Sequence, residues 1–217
     1  MSAARDEPVA LVTGAGRGIG ASIALRLARA GYRVLVSDRV ANMAQDTVAE
    51  LDEVSDAENL ALELDVTDRR AVRAAVDRAL SAWGRIDLVV NNAMWIRYAA
   101  LGQISEVDVD RMLAVGVKGP LWMAQAVADP MAERGGGCIV NIASMAAYRG
   151  TADAAVYSAA KGAVVSLTKQ LAFELGPRNI RVNGIAPGTI RTPGSLAAMS
   201  DQAREYRVGR APLGRLG

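Results

Sequence analysis

The sequence predicts an α/β fold: a doubly wound parallel sheet with helices on both faces. Three observations carry that expectation. Apolar runs near 9–12, 33–36, 60–64, 86–90, 138–142 and 180–185 alternate with helix-period stretches near 18–30, 40–53, 68–83, 105–134, 153–175 and 199–207. Such alternation calls for parallel strands joined by right-handed helical crossovers. Runs such as Ile86-Asp87-Leu88-Val89-Val90 are nearly continuous rather than alternating, as strands covered on both faces require. Finally, the first run enters a glycine-rich turn from which a helical pattern leaves.

Taken in order, Pro8-Val9-Ala10-Leu11-Val12-Thr13 forms the first strand, Gly14-Ala15-Gly16-Arg17-Gly18-Ile19-Gly20 the turn, and apolar residues at 19, 23, 24, 27 and 28 the core face of the first helix. A turn without Cβ atoms lets a pyrophosphate approach the backbone and the N–H groups at the helix start. Asp38 follows Gly18 by 20 residues, at the end of Val34-Leu35-Val36. A carboxylate there can accept hydrogen bonds from an adenosine ribose, so the first half of the chain reads as a Rossmann-type dinucleotide site. No Gly-Lys-Ser/Thr follows the glycines, which rules out a Walker A loop. Gly31, Gly84 and Gly176 stand where helix ends need a left-handed residue.

Composition narrows the function classes. A chain of 217 residues that is 51% apolar makes one domain, residues 1–217, with a sizeable core. No apolar run approaches a membrane span and the N-terminus has no signal-peptide core, so no membrane role and a cytoplasmic location are expected; residues 1–7 are polar and expected to fray. The single cysteine, Cys138, excludes an intrachain disulfide and reads as a small core residue. A formal charge of +2 with scattered arginines gives no nucleic-acid signal. The absence of histidine removes histidine triads and most zinc sites, so no metal is expected and tyrosine becomes the plausible proton donor.

That tyrosine is Tyr157. It lies 13 residues after Ser144, with Lys161 one helical turn further on. A four-residue step places Tyr157 and Lys161 on one helix face, where an ammonium can pull a phenol pKa down and fit it for proton exchange with an alcohol or carbonyl. On the same helix Val156, Ala160, Ala163, Val164, Leu167, Leu171 and Leu175 mark a core face.

These motifs together resemble the short-chain dehydrogenase/reductase family, in its compact single-domain branch. Thr13-Gly14-Ala15-Gly16-Arg17-Gly18-Ile19-Gly20 fits the family's glycine motif, Leu64-Asp65-Val66 its adenine-side Asp, and Asn91-Asn92-Ala93 the turn after the fourth strand. Pro187-Gly188-Thr189-Ile190-Arg191-Thr192 fits its nicotinamide-side loop. The resemblance implies catalysis by Ser144, Tyr157 and Lys161. It also implies a cofactor held by Gly14, Arg17, Gly18, Ile19, Gly20, Asp38, Asp65, Val66, Asn92, Ala93, Tyr157, Lys161, Pro187, Gly188, Ile190 and Thr192. NAD is expected over NADP, because Asp38 would face the 2′-phosphate, although Arg17 and Arg39 could offset part of that repulsion.

The expected reaction interconverts a secondary alcohol and a ketone. A 3-oxoacyl-thioester reductase, another chemistry on the same site, and a cofactor-binding scaffold without turnover stay open as alternatives. Substrate-lining candidates are Met94, Trp95, Met145, Ala146 and Tyr148, beneath a lid from Thr192 to Val208, with Arg97 and Arg149 nearby. The resemblance further implies a homodimer or homotetramer on the 105–134 and 153–175 helices, and a last strand beyond Gly217. Met94 stands where the family has Gly, and Gly116 where it has the Asn of a proton relay. From the latter, Gly116→Asn is expected to raise kcat.

Overall fold

The computed structural model describes residues 7–197 and 199–217; the expectation of fraying for 1–6, and residue 198 of the lid, lie outside that range. Six parallel strands form one sheet: β1 (Val9–Thr13), β2 (Arg33–Asp38), β3 (Leu60–Glu63), β4 (Leu88–Asn91), β5 (Gly137–Ile142) and β6 (Ile180–Ile185), in the order β3-β2-β1-β4-β5-β6. The strand order reverses between β1 and β4. A crevice therefore opens at their carboxyl ends, beside Thr13 and Asn91, where doubly wound sheets take their ligands.

Strand periodicity divides the core into two layers. Leu11, Leu35, Val89 and Ile139 face one side and pack with α3 (Arg69–Trp83), α5 (Gly119–Glu133) and α6 (Ala155–Leu175). Their neighbours Val12, Val34, Val36 and Val90 face the other side, against α1 (Gly18–Arg29) and α2 (Ala41–Asp52) through Ala24, Ala28, Ala44 and Leu51. The small alanines of α1 and α2 let these helices lie close on the sheet. On β6 only Ile180 and Val182 are buried, and Arg181, Asn183 and Ile185 are exposed.

Two expectations about elements need correction. The 105–134 helix is interrupted: α4 (Glu106–Leu113) and α5 are joined by a π-helical turn, Ala114–Lys118, that contains Gly116. Gly176 is not left-handed (φ −54°), because Gly176–Arg178 extends α6 as a 3₁₀ turn. The left-handed step falls instead on Asn179 (φ 58°), a residue type that tolerates it. Beyond β6, α7 (Pro193–Ala197) and α8 (Asp201–Gly209) cross over the crevice side, α8 being started by the Ser200 hydroxyl accepting from Ala203 N. Among the described residues no helix is long and apolar enough to cross a membrane.

Candidate active site

The glycine turn is built so that its glycines cannot readily carry a side chain. Gly14 and Gly18 both take φ +61°, where a Cβ is strained. A Cβ on Gly14 would lie 2.7 Å from Ala93 Cα, and one on Gly20 would run into Gly14 O and Asn92 Nδ2. The turn is bolted to the end of β4 by Thr13 and Asn92. Thr13 Oγ1 accepts from the backbone N–H groups of Asn92 and Ala93 (3.1 Å each), and Asn92 Nδ2 donates to Thr13 O and Gly14 O (2.9 Å each). The helix that follows opens at Arg17 with no side-chain cap, so no capping side chain takes the first N–H groups of α1, at Gly18, Ile19 and Gly20.

Asp38 lies against the same turn. Its Oδ2 accepts from Gly16 N at 3.1 Å and its Oδ1 from Val40 N at 3.1 Å. A Cβ on Gly16 would sit 2.9 Å from that Oδ2 and 2.6 Å from Met43 Cβ. Asp65, exposed, accepts from Thr67 N and Oγ1, while Val66 is buried against Gly119. Thr192 approaches Gly18 from above, a Cβ there meeting Thr192 Cβ at 3.4 Å. Its loop is held by Ser195, whose Oγ accepts from Thr192 N and donates to Ile190 O. Pro187 O takes the N–H of Met145, and Gly188 is exposed beside it.

Ser144, at the end of β5, caps the short turn Met145–Ala147 by accepting from Ala146 N at 3.1 Å. That bond uses an oxygen lone pair and leaves the hydroxyl proton free to donate. Tyr157 is half-buried, and burial raises its pKa above the ordinary phenol value; the Ser144 hydroxyl pulls it back down, the Tyr98 phenol raises it and the Arg207 charge lowers it. Lys161 is 4% exposed, and its Nζ donates to Ile142 O at 2.6 Å. Burial lowers its pKa to about 8. The sequence-based expectation that Lys161 depresses the phenol pKa is thus not met: Nζ is engaged with the end of β5, and desolvation dominates Tyr157.

The lining candidates have distinct surroundings. Met94 packs on Gly116, where a Cβ would come within 2.8 Å of Met94 Sδ and 3.1 Å of its Cε. The thioether fills the space that a side chain at 116 would need. Trp95 stacks under Arg111 of α4 (4.4 Å to the ring centroid), and Tyr148 is 62% exposed. Met145 and Ala146 remain beside Ser144. Besides Ser144, Tyr98 meets Tyr157, its ring edge-on with centroids 5.9 Å apart. Above it lies Arg207 of α8, 5.5 Å from the Tyr98 centroid. Neither stands in a motif, and only the placing of a lid over 192–208 hinted at Arg207.

A family model described as short chain dehydrogenase matches residues 8–203. The chain belongs to the short-chain dehydrogenase family. It is accordingly an NAD(P)-dependent oxidoreductase. Among curated relatives of this short-chain dehydrogenase, a sorbitol dehydrogenase of Cereibacter sphaeroides is 39% identical over 98% of the chain and 86% of its own length. A 3-oxoacyl-(acyl-carrier-protein) reductase of Thermotoga maritima is 37% identical over 96% of the chain and 84% of its own length. Among solved structures, a 7α-hydroxysteroid dehydrogenase complexed with NADH and 7-oxo glycochenodeoxycholic acid superposes with a TM-score of 0.92 at 35% identity, over 97% of this chain and 82% of that one.

Proposed function

We propose that this short-chain dehydrogenase interconverts a secondary alcohol and a ketone and prefers NAD to NADP. The observation that carries the proposal is that Ser144, at the carboxyl end of β5, hydrogen-bonds Tyr157 near the start of α6 while Lys161 Nζ donates to Ile142 O of the same strand end, at the sheet rim that also carries a glycine turn with no room for a Cβ at Gly14 or Gly20. The donor set fits a dinucleotide. The N–H groups of Gly18, Ile19 and Gly20 would take the pyrophosphate, Asp38 the adenosine ribose, and Asp65 and Val66 the adenine edge. Asn92 and Ala93 would flank the cofactor, with the loop from Pro187 to Thr192 closing on the nicotinamide side. Bound NAD supplies the two-electron chemistry, taking or giving the hydrogen on the carbinol carbon.

This chain's own groups handle the other proton. Ser144 donates its free hydroxyl proton to the reacting oxygen and orients it. Tyr157 exchanges a proton with that same oxygen. A phenol held above its ordinary pKa is protonated at neutral pH, so it stands ready as the acid of ketone reduction, whereas alcohol oxidation needs the phenolate. Lys161, braced by Ile142 O, keeps two further ammonium donors for the nicotinamide ribose hydroxyls. A thioester reductase would use the same groups, and the kinship with Thermotoga maritima's reductase makes it the second reading. Initial rates with NAD and NADP over a panel of secondary alcohols, ketones and 3-oxoacyl thioesters decide among them. Preference for NADP with a thioester would overturn the first.

A further inference from the structure

The mouth of the site carries a charge outside the Ser144, Tyr157 and Lys161 set. Arg207 is half-buried on α8 and stacks over Tyr98, which in turn meets the ring of Tyr157 edge-on. Three other arginines of this region are engaged: Arg97 with Asp108 at 3.4 Å, Arg204 with Asp201 at 3.1 Å, and Arg111 over Trp95. Among the described residues Arg207 has no acidic partner. Its contact with the face of Tyr98 fixes the guanidinium plane while leaving the N–H fork available.

We infer that Arg207 is a specificity residue that receives an anionic group, a carboxylate, at the far end of the alcohol or ketone substrate. The inference rests on the oxidoreductase reading of the Tyr157 site and names the substrate class for it. A bare hydrocarbon substrate would partly desolvate Arg207 without replacing its water, a cost that a carboxylate avoids by pairing with the fork in two parallel hydrogen bonds. Tyr98 sets the spacing. The anion sits beyond one aromatic ring from the reacting oxygen at Tyr157, so the substrate needs several bonds between its carbinol carbon and its acid.

The test uses pairs of secondary alcohols of equal length, one ending in a carboxylate and the other in the primary carboxamide, with NAD. In the unaltered protein the ratio of kcat/KM for acid over amide is expected to exceed tenfold for the best-fitting length. In Arg207→Gln it should fall to near one, as loss of a charge-assisted hydrogen bond implies. A merely structural role for Arg207 would lower both values and leave the ratio unchanged, which overturns the inference, as does a ratio near one in the unaltered protein. If no alcohol of any pair is turned over, the oxidoreductase reading fails separately. Calorimetric titration of the same acids and amides then decides the anion site: tighter binding of the acids, lost in Arg207→Gln, upholds it, and equal binding rejects it.

Discussion

Lys161 makes the sharpest claim at the scale of one residue. With its folded pKa lowered to about 8 from 10.5, the unfolded chain binds more protons between those values, so stability from this group rises as pH climbs through that window. Below pH 8 the buried ammonium costs about 3 kcal/mol relative to the neutral amine. Lys161→Met should therefore gain stability over the unaltered protein at pH 7, and the gain should shrink by that amount towards pH 10.5; urea melts at several pH values check it, and a pH-independent difference would contradict it. Gly116 reverses an expectation. Since the movable thioether end of Met94 occupies the space at 116, Gly116→Asn should destabilise by about 1 kcal/mol, the low end of overpacking, and lower kcat rather than raise it. Met94→Ala in the same chain should recover part of both losses, and simple additivity of the two changes would show that the residues are not coupled. Asp38→Ala should bring NADP closer to NAD in kcat/KM. At about 4 Å and an effective dielectric near 20, each charge pair removed is worth on the order of 4 kcal/mol, less what Arg17 and Arg39 already offset.

Among the elements, strands and helices were legible because their apolar periods differ and their burial is decided by those periods. The two-layer split of Leu11 from Val12 follows directly from strand alternation. The π-turn was not legible: Leu113-Ala114-Val115-Gly116-Val117-Lys118 has an ordinary helical composition, and only packing against Met94 and α6 shows the interruption. Likewise Gly176 looked like a helix end, but a proline-containing 3₁₀ turn moved the left-handed step to Asn179. In the site, motif residues fell where expected because glycine, threonine and asparagine are tied there by backbone hydrogen bonds. Tyr98 and Arg207 carry no such local signature, since their roles arise from a loop and a helix brought together across the crevice. One buried feature joins elements without a motif: Asn91 Nδ2 donates to Asn141 Oδ1 (2.8 Å), and Asn141 Nδ2 to Thr168 Oγ1 (3.0 Å), linking β4, β5 and α6. Thr168→Val should leave that second amide hydrogen without an acceptor and cost about 1–3 kcal/mol, visible as a lowered Tm; an unchanged Tm would mean the network is slack.

For the whole molecule, α6 presents Ala155, Ala159 and Ser166 outward together with Phe173, which is 82% exposed. We expect this face to pair across a two-fold axis, and light scattering at micromolar concentration should give at least a dimer; a monomer would contradict the expectation. The sheet's reversal between β1 and β4 gathers the glycine turn, Asp38, Asn92, Ser144, Tyr157 and Lys161 at one rim although they span most of the sequence. The most direct measurement of what that rim does is the turnover of Tyr157→Phe beside its affinity for NADH. Removing only the phenol oxygen should abolish alcohol–ketone interconversion, by at least about a thousandfold in kcat, while leaving NADH binding within a few-fold of the unaltered protein, because the phenol acts on the reacting oxygen in the transition state. Full activity in Tyr157→Phe would contradict proton exchange at this residue, and with it the assignment of the site.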